Sequence, residues 1–139
     1  MREWITGRNP VYETLKAGRR HVFYLKVAEG AQEKGRLAEI VRMAQGRHIP
    51  VDRVNRQQLD RLDPGHQGVA LEASAYPYVA LQDILVYASE RSEPPFLLIL
   101  DGLQDPQNLG TLLRTAECVG IHGVLLPLAH TASITPAVV

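Results

Sequence analysis

Between Leu100 and Gly120 the chain reads LDGLQDPQNLGTLLRTAECVG, an apolar strand pattern that turns at Asp105-Pro106 into a helical one. Asp105 suits an N-cap and Pro106 the first helical position. Free N–H groups and the positive end of the helix dipole would then face whatever lies beyond the strand's carboxyl end, a place that favours anions. Gly110 costs roughly 1 kcal/mol against alanine inside a helix, a cost that close approach of another backbone or a ligand would offset. Arg114 follows Gly110 by four residues on the same helix face. Its guanidinium fork could grip a phosphate through two parallel hydrogen bonds. Asn108 precedes Arg114 by six residues, close to two turns, and so shares that face only roughly. An ordinary capped helix with one exposed arginine would show the same residues. The segment is not one of the glycine-rich nucleotide loops, because it has neither Gly-x-Gly-x-x-Gly nor a Walker lysine.

The elements that must position this helix follow from periodicity. The run FLLILDGL (96–103) is nearly all apolar, which suits a parallel strand covered on both faces. The helix over Gln107 to Val119 and the run HGVLLP (122–127) complete one βαβ unit, the opening of a doubly wound sheet. A further helix is predicted to begin at TPAVV (135–139). Upstream, Asn9-Pro10 predicts a helix capped by Asn9 and closed by Gly18. HVFYLKVA (21–28), IPVDRVN (49–55) and QGVALEASAY (67–76) read as strands. KGRLAEIVRMAQGRH (34–48) and RQQLDRLDPG (56–65) read as helices. Proline-flanked YPYVALQDILVYASERSEPP (76–95) carries an amphipathic helix and reads as a connector. The expected organisation is therefore α/β throughout, with a first domain over 1–76, a linker helix over 77–95 and a second, incomplete α/β domain over 96–139.

Composition narrows the class. The 139 residues are 45% hydrophobic and 22% charged, a globular balance, and no apolar run nears the ~20 residues of a membrane span. MREWITGRNP has no apolar secretory core, and Cys118 is the single cysteine, so a cytoplasmic protein without a disulfide or thiolate metal cluster is expected. Residues 1–70 hold 13 Lys and Arg against 8 Asp and Glu, whereas residues 71–139 hold 2 against 7. A basic half suits a polyanion, since neutralising phosphates releases counterions. Arginines that merely solvate helix faces would give the same balance.

The segment Asp105-Pro106-x-Asn108-x-Gly110-x-x-x-Arg114, with LDGLQ before it and AECVGIHGVLLP after it, resembles the first motif of the SpoU family of RNA ribose 2′-O-methyltransferases, within the SPOUT superfamily. GRNPVYETL (7–15) and HQGVAL (66–71) resemble the small substrate-binding domain of bacterial members that modify large-subunit ribosomal RNA or tRNA. The resemblance implies an α/β RNA-binding domain similar to some ribosomal proteins, followed by a knotted α/β domain that binds S-adenosyl-L-methionine and forms a homodimer. It places Asn108 and Arg114 in the active site, with ribosomal RNA the favoured substrate over tRNA. An arginine side chain holds its proton too tightly to be a good base. Phosphate binding and electrostatic help to a developing alkoxide are the better role for Arg114, with base action the weaker alternative.

The family's second and third motifs, which form the knot and the cofactor pocket, do not occur in these residues. No cofactor-binding residue is assigned to this chain, and it is expected to be the N-terminal portion of such an enzyme, unable to methylate alone. The alternative is a non-enzymatic RNA-binding module. Arg8, Arg19, Arg20, His66 and Gln67 are the candidate RNA contacts. Asn9 is expected to cap, Trp4 to pack in the core and Cys118 to pack as a small hydrophobe. No histidine pair has metal-ligand spacing, so no metal is expected.

Overall fold

In the computed structural model the described residues are 1–103 and 105–126. The chain divides into two compact units, Met1–Pro77 and the residues from Tyr78 onward. The predicted helix at 135–139 lies outside the described residues, as does the end of the 122–127 run.

The first unit is a four-stranded sheet with helices on both faces. In chain order it runs β1 (Arg2–Thr6), α1 (Arg8–Ala17), β2 (Val22–Ala28), α2 (Arg36–Gly46), β3 (Val51–Val54), α3 (Arg56–Asp60) and β4 (Val69–Ser74). The strand order is β1-β4-β2-β3. β4 runs antiparallel to both β1 and β2, and β2 and β3 are parallel. β1 was not foreseen; it places Ile5 opposite Leu71 and Trp4 opposite Glu72. Alternation along the strands sends Ile5, Leu25, Val27, Val69, Leu71 and Ala73 to one face. There they meet Val11 and Leu15 of α1 and Leu37, Ile40, Val41 and Ala44 of α2, which recur at helical spacing. On the other face the five-residue α3 covers only a small cluster, Leu59 with Ala28 and Ala70.

The start of α1 differs from the expectation. The helix begins at Arg8, its N-cap is Gly7 at φ 91°, and Asn9 lies inside the first turn without capping anything. Gly18 closes the helix as expected, in the left-handed conformation at φ 64°, with its N–H on the Thr14 carbonyl.

The second unit contains α4 (Leu81–Glu90), β5 (Leu97–Ile99), α5 (Pro106–Cys118) and β6 (Gly123–Leu125). β5 and β6 are parallel, with Leu98 opposite Val124. Leu109 of α5 is fully buried against Leu98, Leu103, Leu113 and Val124. Among the described residues α5 covers the face of β5 that carries Leu98, and Ile99, on the opposite face, is 69% exposed. α4 packs onto this unit where Ile84 meets Gly123; a Cβ at Gly123 would lie 2.5 Å from Ile84 Cδ1. His122 then ties the approach to β6. Its Nδ1 accepts from the Phe96 N–H at 2.9 Å and its Nε2 faces Glu93 Oε2 at 2.8 Å.

Candidate functional site

The Asp105–Arg114 segment is positioned by its cap. Asp105 Oδ1 accepts from the Gln107 N–H at 3.0 Å and fixes the start of α5 at Pro106, after the loop that follows β5. Leu109 and Gly110 turn inward and are buried, while Asn108, Thr111 and Arg114 are exposed. These three stand three residues apart and form one row along the helix surface. The Arg114 Nη2 donates to Thr111 Oγ1 at 3.3 Å, and Thr111 Oγ1 donates to the Gln107 carbonyl at 3.1 Å. Among the described residues no carboxylate pairs with Arg114 and no side-chain bond engages Asn108. An unneutralised guanidinium held at one edge, beside a free carboxamide, can take a phosphate and a sugar hydroxyl. Thr111 was missed in the sequence; the signal was a hydroxyl three residues before the arginine.

The two N-terminal motifs meet at one end of the first sheet. Gly7 cannot cap α1 with a side chain, and Gln67 does so from the loop before β4. The Arg8 N–H donates to Gln67 Oε1 at 2.9 Å, and Arg8 Nε donates to the Gln67 carbonyl at 3.2 Å. Gln67 takes φ 53° to do this, with Gly68 beside it at φ 83°. Thr6 closes the corner by donating its hydroxyl to Asp63, whose other oxygen accepts the Gly65 N–H. The Thr6 hydroxyl, then the Gly65 N–H, hold the Asp63 carboxyl below the ordinary aspartate range.

His66 stands behind this corner and not at its surface. It is 1% exposed; Nδ1 accepts the Gly68 N–H at 2.7 Å and Nε2 faces Asp60 Oδ1 at 2.8 Å. Both ring nitrogens are engaged inside the protein, so His66 shapes the loop and is corrected from a contact to a support. Arg20 is corrected likewise. Its side chain is buried, it pairs with Glu3 at 3.3 Å and lies over the Tyr76 ring, and Nη2 has no hydrogen-bond partner among the described residues. Arg19 is exposed at the far end of α1, about 15 Å along the helix from Arg8. The structure therefore joins Arg8 with Gln67, adds exposed Asn9 beside them, and leaves Arg19 apart. Asn9 was read as a cap because Asn-Pro opens helices; Gly7 taking that position frees its side chain. Cys118 is exposed, contrary to the expected packing.

No group of three metal-ligating side chains occurs among the described residues. Among them, too, no helix is long and apolar enough to cross a membrane. Among the described residues of the second unit no buried side-chain polar atom lacks a partner, and the free groups of α5 lie on an exposed row.

Comparison with known proteins agrees with both motif sets. Residues 4–79 match the family model for RNA 2′-O ribose methyltransferase substrate binding, and residues 95–139 match the SpoU rRNA methylase family. A protein named as a TrmH family tRNA/rRNA methyltransferase, YacO of Bacillus subtilis, is 39% identical over 98% of this chain and 54% of its own length. A protein named as a tRNA/rRNA methyltransferase of Mycolicibacterium gilvum is 42% identical over 96% of this chain and 43% of its own. The chain thus spans about half the length of the curated relatives it matches. Among solved structures, an AdoMet-bound rRNA methyltransferase from Sinorhizobium meliloti superposes with TM-score 0.65 at 23% identity, over 99% of this chain and 48% of that one. The SpoU methyltransferase AviRb from Streptomyces viridochromogenes, in complex with AdoMet, gives TM-score 0.69 at 17% identity, over 97% and 48%. These two likenesses concern the fold. Two family models in the expected order, and relatives at about 40% identity along nearly the whole chain, lead to one conclusion: the chain belongs to the SpoU family of RNA methyltransferases.

Proposed function

We propose that this chain supplies the RNA-binding domain, residues 1–76, a linker helix within 77–95, and the opening βαβ of the catalytic domain, from residue 96, of a homodimeric ribose 2′-O-methyltransferase acting on large-subunit ribosomal RNA. The observation that carries the reading is the exposed Asn108–Thr111–Arg114 row on a helix that opens at the carboxyl end of a parallel strand. In this role Arg114 takes the phosphate next to the target ribose through its fork. Its charge stabilises the negative charge that develops on the 2′-oxygen, and Asn108 orients the sugar by its carboxamide. S-adenosyl-L-methionine, the cofactor of the family, supplies the methyl group. Since the family motifs that form the cofactor pocket do not occur among residues 1–139, these residues alone are inferred to bind RNA without methylating it.

The test is methylation of ribosomal RNA by the full-length enzyme, read as resistance of one phosphodiester to alkaline cleavage. Arg114→Ala is expected to lower the rate about 100-fold or more, the scale for removing an electrostatic contact to a developing oxyanion. Arg114→Lys keeps the charge without the fork and is expected to recover only part of that loss. Near-full activity of Arg114→Lys would sink the bidentate role. Methylation of tRNA in preference to ribosomal RNA would overturn the substrate assignment, and methylation by residues 1–139 alone would overturn the inference of inactivity.

A further inference from the structure

We propose that the face of the first sheet opposite α1 and α2 is a stacking platform for single-stranded RNA. This rests on the RNA reading above and adds a surface to it that the family motifs do not include.

The platform is made by a β-bulge. Ala73 and Glu72, consecutive on β4, pair with Val22 and Tyr24, so Phe23 is an extra residue on β2. A bulge of this kind re-aims a side chain, because two residues of one strand then oppose one of its partner. Strict alternation would send Phe23 to the α1–α2 side; instead it lies under Arg2. The Arg2 guanidinium is 3.9 Å above the Phe23 ring and 3.6 Å from Glu72 Oε1. Glu72 pairs directly with Trp4 on one side and Tyr24 on the other, so all of these share one face. Trp4, expected in the core, is half-buried at the edge of the Leu59 cluster under α3, and Lys26 extends over its ring at 4.7 Å. Tyr24 is 42% exposed, a large aromatic residue that no helix of this unit covers.

Three aromatic rings, two of them carrying a cation, fit a chain whose bases have flat faces and whose backbone carries phosphates. Arg2 and Lys26 lie where they can shift from ring to phosphate as a base takes their place. A duplex cannot occupy this face, because its base faces are already stacked on one another. An apolar protein surface would have to bury the Arg2–Glu72 pair and the Lys26 charge, at a desolvation cost.

Trp4 is the only tryptophan in the chain, so the platform contains its own reporter. The experiment titrates the full chain with a short unstructured RNA oligonucleotide, following Trp4 fluorescence and, separately, the anisotropy of end-labelled RNA. The wild type is expected to show quenching by the single strand and none by the same sequence as a duplex. Tyr24→Leu is expected to weaken single-strand binding about ten-fold, the scale of one lost base–ring stack, while Tyr24→Phe restores it. Thermal melts of both variants establish that the fold is kept; Tyr24 is exposed enough to tolerate either change. Single-strand binding seen by anisotropy, with Trp4 unquenched or with Tyr24→Leu unaffected, would overturn the platform and leave the RNA reading standing. Absence of any RNA binding would overturn both. A fluorescence change that depends on protein concentration without RNA would assign the face to a second copy of the chain instead.

Discussion

The Arg8 N–H donates to the side-chain oxygen of Gln67 at 2.9 Å, across 59 residues of sequence. A helix whose own N-cap residue is glycine thereby receives its cap from another loop. The two N-terminal motifs are halves of one corner, Gly7-Arg8-Asn9 giving the backbone turn and His66-Gln67-Gly68 the acceptor. Gln67→Ala is expected to destabilise the first unit by about 1 kcal/mol, the usual worth of a helix cap. Gln67→Gly is expected to cost less, because glycine relieves the positive φ at this position. Urea unfolding of the two variants side by side measures this, and an unchanged midpoint for Gln67→Ala would show that the cap contributes nothing.

His66 is expected to matter for folding and not for contact. His66→Ala leaves a cavity and strands the Gly68 N–H, a combination worth about 2–4 kcal/mol. Denaturant unfolding tests the stability loss. RNA affinity of the remaining folded fraction is expected to stay within about two-fold of wild type, since the imidazole is buried.

Acid should loosen both units, for the same physical reason. Asp63 is held below its ordinary range chiefly by the Thr6 hydroxyl, and Glu93 chiefly by His122 and then by Arg91. A lowered folded value means the native state binds fewer protons than the unfolded chain. The contribution is then fully present above the unfolded value and is lost as pH falls through the folded one, below about pH 4. Asp63→Asn and Glu93→Gln are expected to flatten the acid limb of a melting-temperature profile measured from neutral pH downward. A limb as steep as wild type in the double variant would assign the acid sensitivity to other groups.

Gly123→Ala tests the seat of α4 on β6. The added methyl meets Ile84 at 2.5 Å, so the helix or the strand must shift. Overpacking of this kind costs about 1–3 kcal/mol. Ile84→Ala in the same background is expected to recover part of the loss; a calorimetric melt of single and double variants reads the coupling.

Thr111 is expected to act through Arg114. Thr111→Val in the full-length enzyme removes the acceptor at 3.3 Å while keeping the shape, and should lower the methylation rate about three- to ten-fold. Thr111→Ser is expected to restore it. Equal loss in both variants would mean that the residue packs and does not position.

Local chemistry wrote much of this protein into its sequence. Asp105-Pro106 sets the start of α5, the apolar runs on either side set a parallel pair, and Gly18 ends α1, because a cap, a period or a left-handed residue needs only its neighbours. The order of the motifs was enough to place the chain in its family. Tertiary structure decided what depends on distant partners. Arg2–Thr6 buries a single apolar side chain, Ile5, too weak a pattern to announce a strand, and becomes one only because β4 offers it an edge. Gly7 could displace Asn9 as the N-cap because Gln67 arrives from the far loop. Arg20 and His66 look like surface groups in sequence; burial against Glu3 and Asp60 made them supports, since desolvation is set by the whole packed unit. The bulge at Phe23 has no local signature either: it exists because two strands, each regular alone, pair out of step.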